Sequence, residues 1–393
     1  MKILYSHRIR SRDGQSVHLE AMVASLRAAG HEVLVVGPAG FDQATLGDDS
    51  RMVALVRRWL PAWVGELAEL AYAIPATWRL NQAAAGFSPD VIYERANLFH
   101  LAGALVARHR GLPLLLEVNA PLAQERARFG NLALRRIAAA TEHFNWRRAS
   151  TVLPVTAVLA AIVAAAGVPA SRIVVIPNGI DMADFPEPPP PAEAPEVVLG
   201  FVGFLRDWHG LDRVLRAIAA WQGAPRFVLR IVGEGPAREG LEALAAELGI
   251  ADRLHFTGLA ARDGIPALIG GFDIALQPGA VAYACPLKVL EYMAAGRAIV
   301  APDQPNLREL LEDGRTALLF DPADPDGMWH CVLRLGRDAA LRQRLGEAAR
   351  QEIGRRGLTW ADHARRVVGL ATQEIERRDT ARDPRSAHLE TAS

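Results

Sequence analysis

Lysine is almost missing from this chain: of 44 basic residues only Lys2 and Lys288 are lysines, and the others are arginine. A general bias toward arginine and alanine accounts for the shortage, so the lysine kept at 288 is a mild pointer. Cysteine is as scarce. Cys285 and Cys331 stand 46 positions apart, with no CxxC and no Cys/His cluster, which excludes a disulfide framework and a structural zinc site. Neither sign of charge is in excess: 44 acidic residues balance the basic ones, and the pI is near 7.2. Nothing therefore advertises nucleic-acid binding or an acidic tail. The start, MKILYSHRIRSRDG, lacks the apolar core and cleavage site of a signal peptide, and a cytoplasmic protein is expected. One uncharged run of 23 residues separates Arg148 from Arg172. It is long enough to cross a bilayer, but Pro154, Thr156, Gly167 and Pro169 interrupt it. It reads as a buried strand, TVLPV, followed by an alanine-rich helix.

What is present is alternation. With 393 residues, half of them apolar, two domains are expected. KILYSH, HEVLVVG, DVIYE, LPLLLEV, TVLPV and RIVVIP read as strands with helical segments between them, the pattern of a parallel sheet covered on both faces. The proline-rich stretch 181–196 reads as a stiff linker. Beyond it the pattern restarts with EVVLGFVG, RFVLRIVG, RLHFTG, DIALQP, AIVAP and ALLF. The expectation is an α/β protein of two doubly wound, Rossmann-like domains, 1–180 and 197–358, facing across a cleft. A last helix, 359–378, precedes a polar tail, 379–393, expected to be disordered.

Ligands of such sheets bind beyond the strands' carboxyl ends. After DIALQP the chain reads GAVAYACPLKVLEYMAAG. Pro286 suits the first position of a helix, which makes Leu287 and Lys288 first-turn residues with free N–H groups. That end attracts a phosphate, and Lys288 adds a full positive charge. Glu291 lies one turn on, where a carboxylate suits a ribose diol. The same spacing is also that of an ordinary surface ion pair. Arg206 and His209, in the turn VGFLRDWHG, lie at another carboxyl edge. In SRDGQSVH, Gly14 allows close backbone approach, Ser16 can cap a helix, and His18 follows. Neither this loop nor VGEGP completes GxGxxG, so a dinucleotide enzyme is disfavoured. Cys285 reads as a small spacer beside the phosphate position.

The loop DGQSVH, the segment VVIPNGID at 174–181, the turn VGFLRDWHG, the helix PLKVLEYMAAGRAIVA and the helix from Trp360 together resemble a family 4 glycosyltransferase of the GT-B fold, over nearly the whole chain. The resemblance implies retaining hexosyl transfer from a nucleotide sugar, UDP- or GDP-linked, with no cofactor or metal. The nucleotide sugar would sit on the second domain and a glycan or lipid-linked acceptor on the first, with the last helix crossing back to the first domain. Glu291 matches the family's ribose-gripping glutamate, and Lys288 then faces the phosphates. Leaving phosphate itself would deprotonate the acceptor. The chain departs from the pattern at several positions. Tyr283 stands where another glutamate is common. Phe204 and His209 replace an Arg and a Lys, which hands a phosphate contact to Arg206. Asn119 replaces a histidine, with Glu117 two positions before it. Lys288, Arg206, Glu117 and Asn119 are thus the candidate catalytic residues. Gly14, His18, Arg206, His209, Tyr283, Leu287, Lys288 and Glu291 are the candidates for holding the nucleotide sugar. YERANLF and LEVNAP resemble a bacterial polysaccharide-biosynthesis branch.

Two other readings stay open. A non-hydrolysing sugar-nucleotide epimerase would use Asp13, Glu117 and His18 as acid and base. A non-catalytic sugar-nucleotide-binding protein would explain Tyr283 and Asn119. Residues 51–80 carry Met52, Leu55, Val56, Trp59 and Trp63 at helical spacing beside Arg57 and Arg58. They read first as a helix packed on the first domain and broken near Pro61, and second as a peripheral contact with the inner membrane face.

Overall fold

The computed structural model describes residues 1–9, 14–38, 61–187 and 196–382. The chain forms two compact units, Met1–Pro177 together with the stretch from Trp360, and Asn178–Thr359.

In the first unit the apolar runs form five parallel strands, β1 (Lys2–Ser6), β2 (Glu32–Val36), β3 (Val91–Arg95), β4 (Leu114–Val118) and β5 (Thr151–Pro154), in the order β2-β1-β3-β4-β5. Strands β3, β4 and β5 are buried along their whole length, as both faces carry helices. The expected strand RIVVIP does not form. The N–H groups of Val174 and Ile176 donate to Val152 and Pro154 carbonyls, both at 3.0 Å, but Pro154 has no N–H to return and the ladder stops at an isolated bridge. The uncharged run 149–171 is β5 followed by the helix Ala157–Ala165, whose start is capped by Thr156 Oγ1 accepting from Leu159 N–H at 3.1 Å. Among the described residues no helix is long and apolar enough to cross a membrane. The C-terminal helix, Trp360–Arg382, packs in this unit, with the Trp360 ring 4.6 Å from that of His18.

The second unit has six parallel strands, β6 (Glu196–Val202), β7 (Arg226–Val232), β8 (Leu254–Gly258), β9 (Ile274–Leu276), β10 (Ala298–Pro302) and β11 (Leu318–Phe320), ordered β11-β10-β9-β6-β7-β8. Phe201, Phe227, Leu229, Ile274, Leu276 and Val300 build its core, with Trp221 and Trp329 packed on it.

The unit boundary falls after Pro177 rather than after residue 180, and part of the expected linker is packed. Ile180 N–H donates to Leu358 O at 3.1 Å. Phe185 is buried, and its carbonyl accepts from Arg350 Nη2 at 2.8 Å. Burying an aromatic ring outweighs the stiffness of the flanking prolines. Residues 188–195 of the linker and 383–393 of the tail lie outside the described residues. So do residues 51–60 of the expected amphipathic helix. From there the chain forms the helices Ala62–Ala71, with Pro61 at its N-cap, and Ala73–Phe87.

Candidate active site

In the second unit the strand order reverses between β6 and β9, the place where open α/β sheets take ligands. The loops leaving these two strands meet there. Arg213 Nη2 donates to Pro278 O at 3.2 Å, and a Cβ on Gly279 would lie 2.7 Å from the Trp208 carbonyl oxygen. The loop after β6 is braced by the loop after β7: Gly203 N–H donates to Val232 O at 2.9 Å and Leu205 N–H to Glu234 O at 2.8 Å. A side chain on Gly233, at φ +138°, would fall on the Gly203 carbonyl. The glycines of VGEGP therefore serve backbone-to-backbone packing.

Lys288 enters this corner from the helix Leu287–Ala294. Pro286 occupies its N-cap, one position earlier than expected, and Leu287 and Lys288 remain in the first turn, where N–H groups lack helical partners. Lys288 is half-buried. Its Nζ lies 3.9 Å from the centre of the Phe201 ring and 3.4 Å from His209 Nε2. It does not reach along the helix to Glu291 as an ordinary surface pair would. Burial pushes the Lys288 ammonium down to about 7, against the opposing pull of Glu291. Glu291 is half-buried; burial raises its pKa, while Lys288 and Arg262 lower it.

His209 is buried, with the Trp208 ring tilted against it, the ring centres 3.9 Å apart. Trp208 itself is exposed. Burial first, then the charge of Lys288, push His209 down to about 3, so the ring is neutral. Its Nδ1 accepts from the Arg206 backbone N–H at 3.2 Å, which places the ring proton on Nε2. Two donors, Nε2–H and the Lys288 ammonium, then face each other. A single anionic oxygen between them would satisfy both. Arg206 is exposed, its guanidinium 4.8 Å over the Phe204 ring. Tyr283 is half-buried in the turn before the helix. Burial pushes the Cys285 thiol up to about 12, which leaves it inert.

The first unit fills its corresponding place from within. There the order reverses between β1 and β3, and Glu94 occupies the gap. Its Oε2 accepts from Ser6 Oγ and from Gly103 N–H, both at 2.8 Å. Gly103 lies in the first turn of the helix Ala102–Arg110, so a carboxylate holds the anion position of that helix. One strand over, Glu117 is the hub of a buried network. Tyr93 OH donates to its Oε2 at 2.8 Å, His18 Nε2 lies 2.9 Å away, and Arg95 and Asn119 Nδ2 reach its Oε1. Burial raises the Glu117 pKa, but His18 and Arg95 outweigh it and hold the carboxyl well below the usual range.

Family models match both units in tandem: "Glycosyl transferase 4-like domain" over residues 13–179 and "Glycosyl transferases group 1" over 196–338. The chain is a glycosyltransferase of the GT-B fold. The transferase is 28% identical over 378 residues to a 2-deoxystreptamine glucosyltransferase of Streptomyces kanamyceticus, covering 88% of this chain and 94% of that protein. It is 29% identical over 363 residues to a GDP-mannose-dependent alpha-mannosyltransferase of Mycobacterium tuberculosis, covering 87% and 88%. Among solved structures, Anabaena HepE in complex with UDP superposes with a TM-score of 0.72 at 19% identity, over 95% of this chain and all of that one. Sucrose-phosphate synthase from Thermosynechococcus elongatus gives 0.75 at 16%, over 96% and 100%. These structures establish the fold.

Within the glycosyltransferase, the geometry gathers Lys288, His209, Arg206, Leu287 and Glu291 in one corner of the second unit. It places His18 and Glu117 against each other inside the first unit, with Asn119 half-exposed at the end of β4. Gly14 begins the helix Gly14–Ala28. Asp13 lies outside the described residues. Two residues with a part here were missed. Phe201 and Glu94 sat in apolar strands that read as core.

Proposed function

We propose that this glycosyltransferase moves a hexosyl group from a UDP- or GDP-linked sugar, with retention, to a glycan or lipid-linked acceptor, and uses no metal or cofactor. The observation that carries this reading is the paired donors of Lys288 and neutral His209 at a helix start, aimed at the switch point of the second unit. The diphosphate leaving group would take the position between them. Negative charge grows on it as the glycosidic bond breaks, and fixed donors in a half-buried corner stabilise that charge best. Glu291, one turn along, would accept the ribose hydroxyls. Arg206 is free to swing from Phe204 to the phosphates.

The epimerase reading needs open acid and base groups, and Glu117 and His18 have their ionisable atoms turned to each other, to Arg95 and to Tyr93. The acceptor side rests on a different observation. Leu67, Ile74 and Trp78 are exposed, and with Leu101 and Leu105 they line an apolar groove of about 820 Å³ in the first unit. This supports a lipid-linked acceptor at the cytoplasmic membrane face, in a polysaccharide-building role.

The test is binding followed by chemistry. UDP, GDP and their sugars are titrated by thermal shift, where a ligand at about 100 times its dissociation constant adds about 2.7 kcal/mol. Product anomers are then read by NMR. Lys288→Ala should lower turnover at least tenfold, and unchanged turnover would sink the role given to Lys288.

A further inference from the structure

The loop 279–286 delivers the chain to Lys288 without regular secondary structure, so something else must fix it. Two buried asparagines do this. Asn178, the first residue of the second unit, donates from Nδ2 to Cys285 O at 2.6 Å, and its backbone N–H points at Cys285 Sγ at 3.3 Å. Asn306, in the short helix Pro305–Arg308 after β10, donates from Nδ2 to Ala284 O at 2.7 Å and to Val281 O at 3.2 Å. Asn306 is fully buried, and Asn178 and Cys285 nearly so. Three carbonyls of one loop are thus turned inward onto two amide groups that come from elsewhere in the sequence.

We infer that Asn178 and Asn306 are positioning residues that clamp the 281–285 loop and thereby set the place of the Leu287 N–H and the Lys288 ammonium at the nucleotide-sugar site. The inference rests on the donor site proposed above. A buried carbonyl cannot be left unpaired without a large cost, so the loop follows whichever group donates to it. The peptide at Cys285 is two residues from Leu287, and Pro286 between them has little freedom of its own. Holding Cys285 O therefore fixes the direction in which the helix sets out. Asparagine suits this task because it donates without charge; an aspartate of the same size would present only acceptors to the carbonyls.

The experiment uses the full chain carrying Cys331→Ser, so that Cys285 is its one thiol. Asn178→Asp and Asn306→Asp are compared with Asn178→Ala and Asn306→Ala, and each is checked for cooperative melting. Two quantities are read at low temperature, where the folded form dominates. One is the rate of Cys285 modification by a disulfide reagent, and the other is the UDP and GDP dissociation constant. The clamp predicts modification at least tenfold faster and nucleotide affinity at least tenfold weaker in the aspartate variants. Hydrogen exchange should rise over 279–288 while β9 and β10 stay protected. A purely structural role would lower the melting temperature and leave the affinity of the folded protein as it was, which would overturn the inference. Unchanged Cys285 reactivity would overturn it as well. If the unmodified chain bound neither UDP nor GDP, the donor reading would fail separately, and the thiol rates would still decide whether the clamp holds the loop.

Discussion

Nucleotide affinity should fall as the solution turns mildly alkaline, and Lys288 gives the size of the effect. Its ammonium is held down to about 7 by burial. An arriving diphosphate is an opposite charge at close range and raises that value. Binding therefore takes up a proton wherever the free protein has lost it. The sign follows directly: affinity is fully present below pH 7 and declines as pH rises, until the raised pKa of the complex is passed. At pH 9 about one free lysine in a hundred is charged, so the complex should be roughly fiftyfold weaker than at pH 7, about 2.3 kcal/mol at 1.36 kcal/mol per tenfold change. Isothermal titration of UDP or GDP in buffers of different ionisation enthalpy measures both affinity and proton uptake. Uptake should be about half a proton at pH 7 and close to one at pH 9. Lys288→Arg, whose charge does not titrate here, should bind with a flat profile, and Lys288→Ala weakly and also flat. The reasoning is refuted if the decline survives in Lys288→Ala.

Glu117→Gln should lower stability by about 3–5 kcal/mol in urea unfolding, because Arg95 is left as a buried, uncompensated charge; nucleotide affinity of the folded protein should not change. Glu142 is buried, and burial, opposed by the backbone N–H groups of Ala123 and Leu122, pushes its carboxyl up to about 7. Its charge therefore weakens the fold as pH rises from the ordinary carboxylate range through 7, so Glu142→Gln should add up to about 3 kcal/mol at pH 8 and nothing near pH 4, read as melting temperature across pH. Phe227, fully buried and in edge contact with Trp329 at 5.1 Å, should cost about 3–5 kcal/mol on replacement by alanine, with a matching loss in denaturation midpoint.

Much of this was legible in the sequence, because parallel sheets advertise themselves. Runs such as LPLLLEV and RFVLRIVG are mostly apolar with no alternation of polar residues, as strands covered on both faces require. The first-turn position of Lys288 was legible for a local reason, a proline followed by helical periodicity. What escaped was non-local. RIVVIP has strand composition, but its neighbour ends in Pro154, and pairing is a property of two segments. Phe185 lay in a proline-rich stretch whose composition says linker, while its burial depends on Arg350 and the helix Ala339–Arg356. Glu117 sat at a strand end where a carboxylate suggests chemistry, while Glu94 passed as part of a core strand. Whether such a carboxylate faces a ligand or a buried arginine is decided by residues far away in the chain.

Glu94 has a bearing on stoichiometry. Both units share one architecture, and each offers a reversal of strand order with a helix start beside it. In the first unit that vacancy has a permanent internal tenant, a carboxylate hydrogen-bonded to the helix. In the second it is lined by a lysine, a neutral histidine and a nearby arginine. If the donor site proposed above is right, the described residues offer it no second copy in the first unit, and titration should find one equivalent of nucleotide per chain.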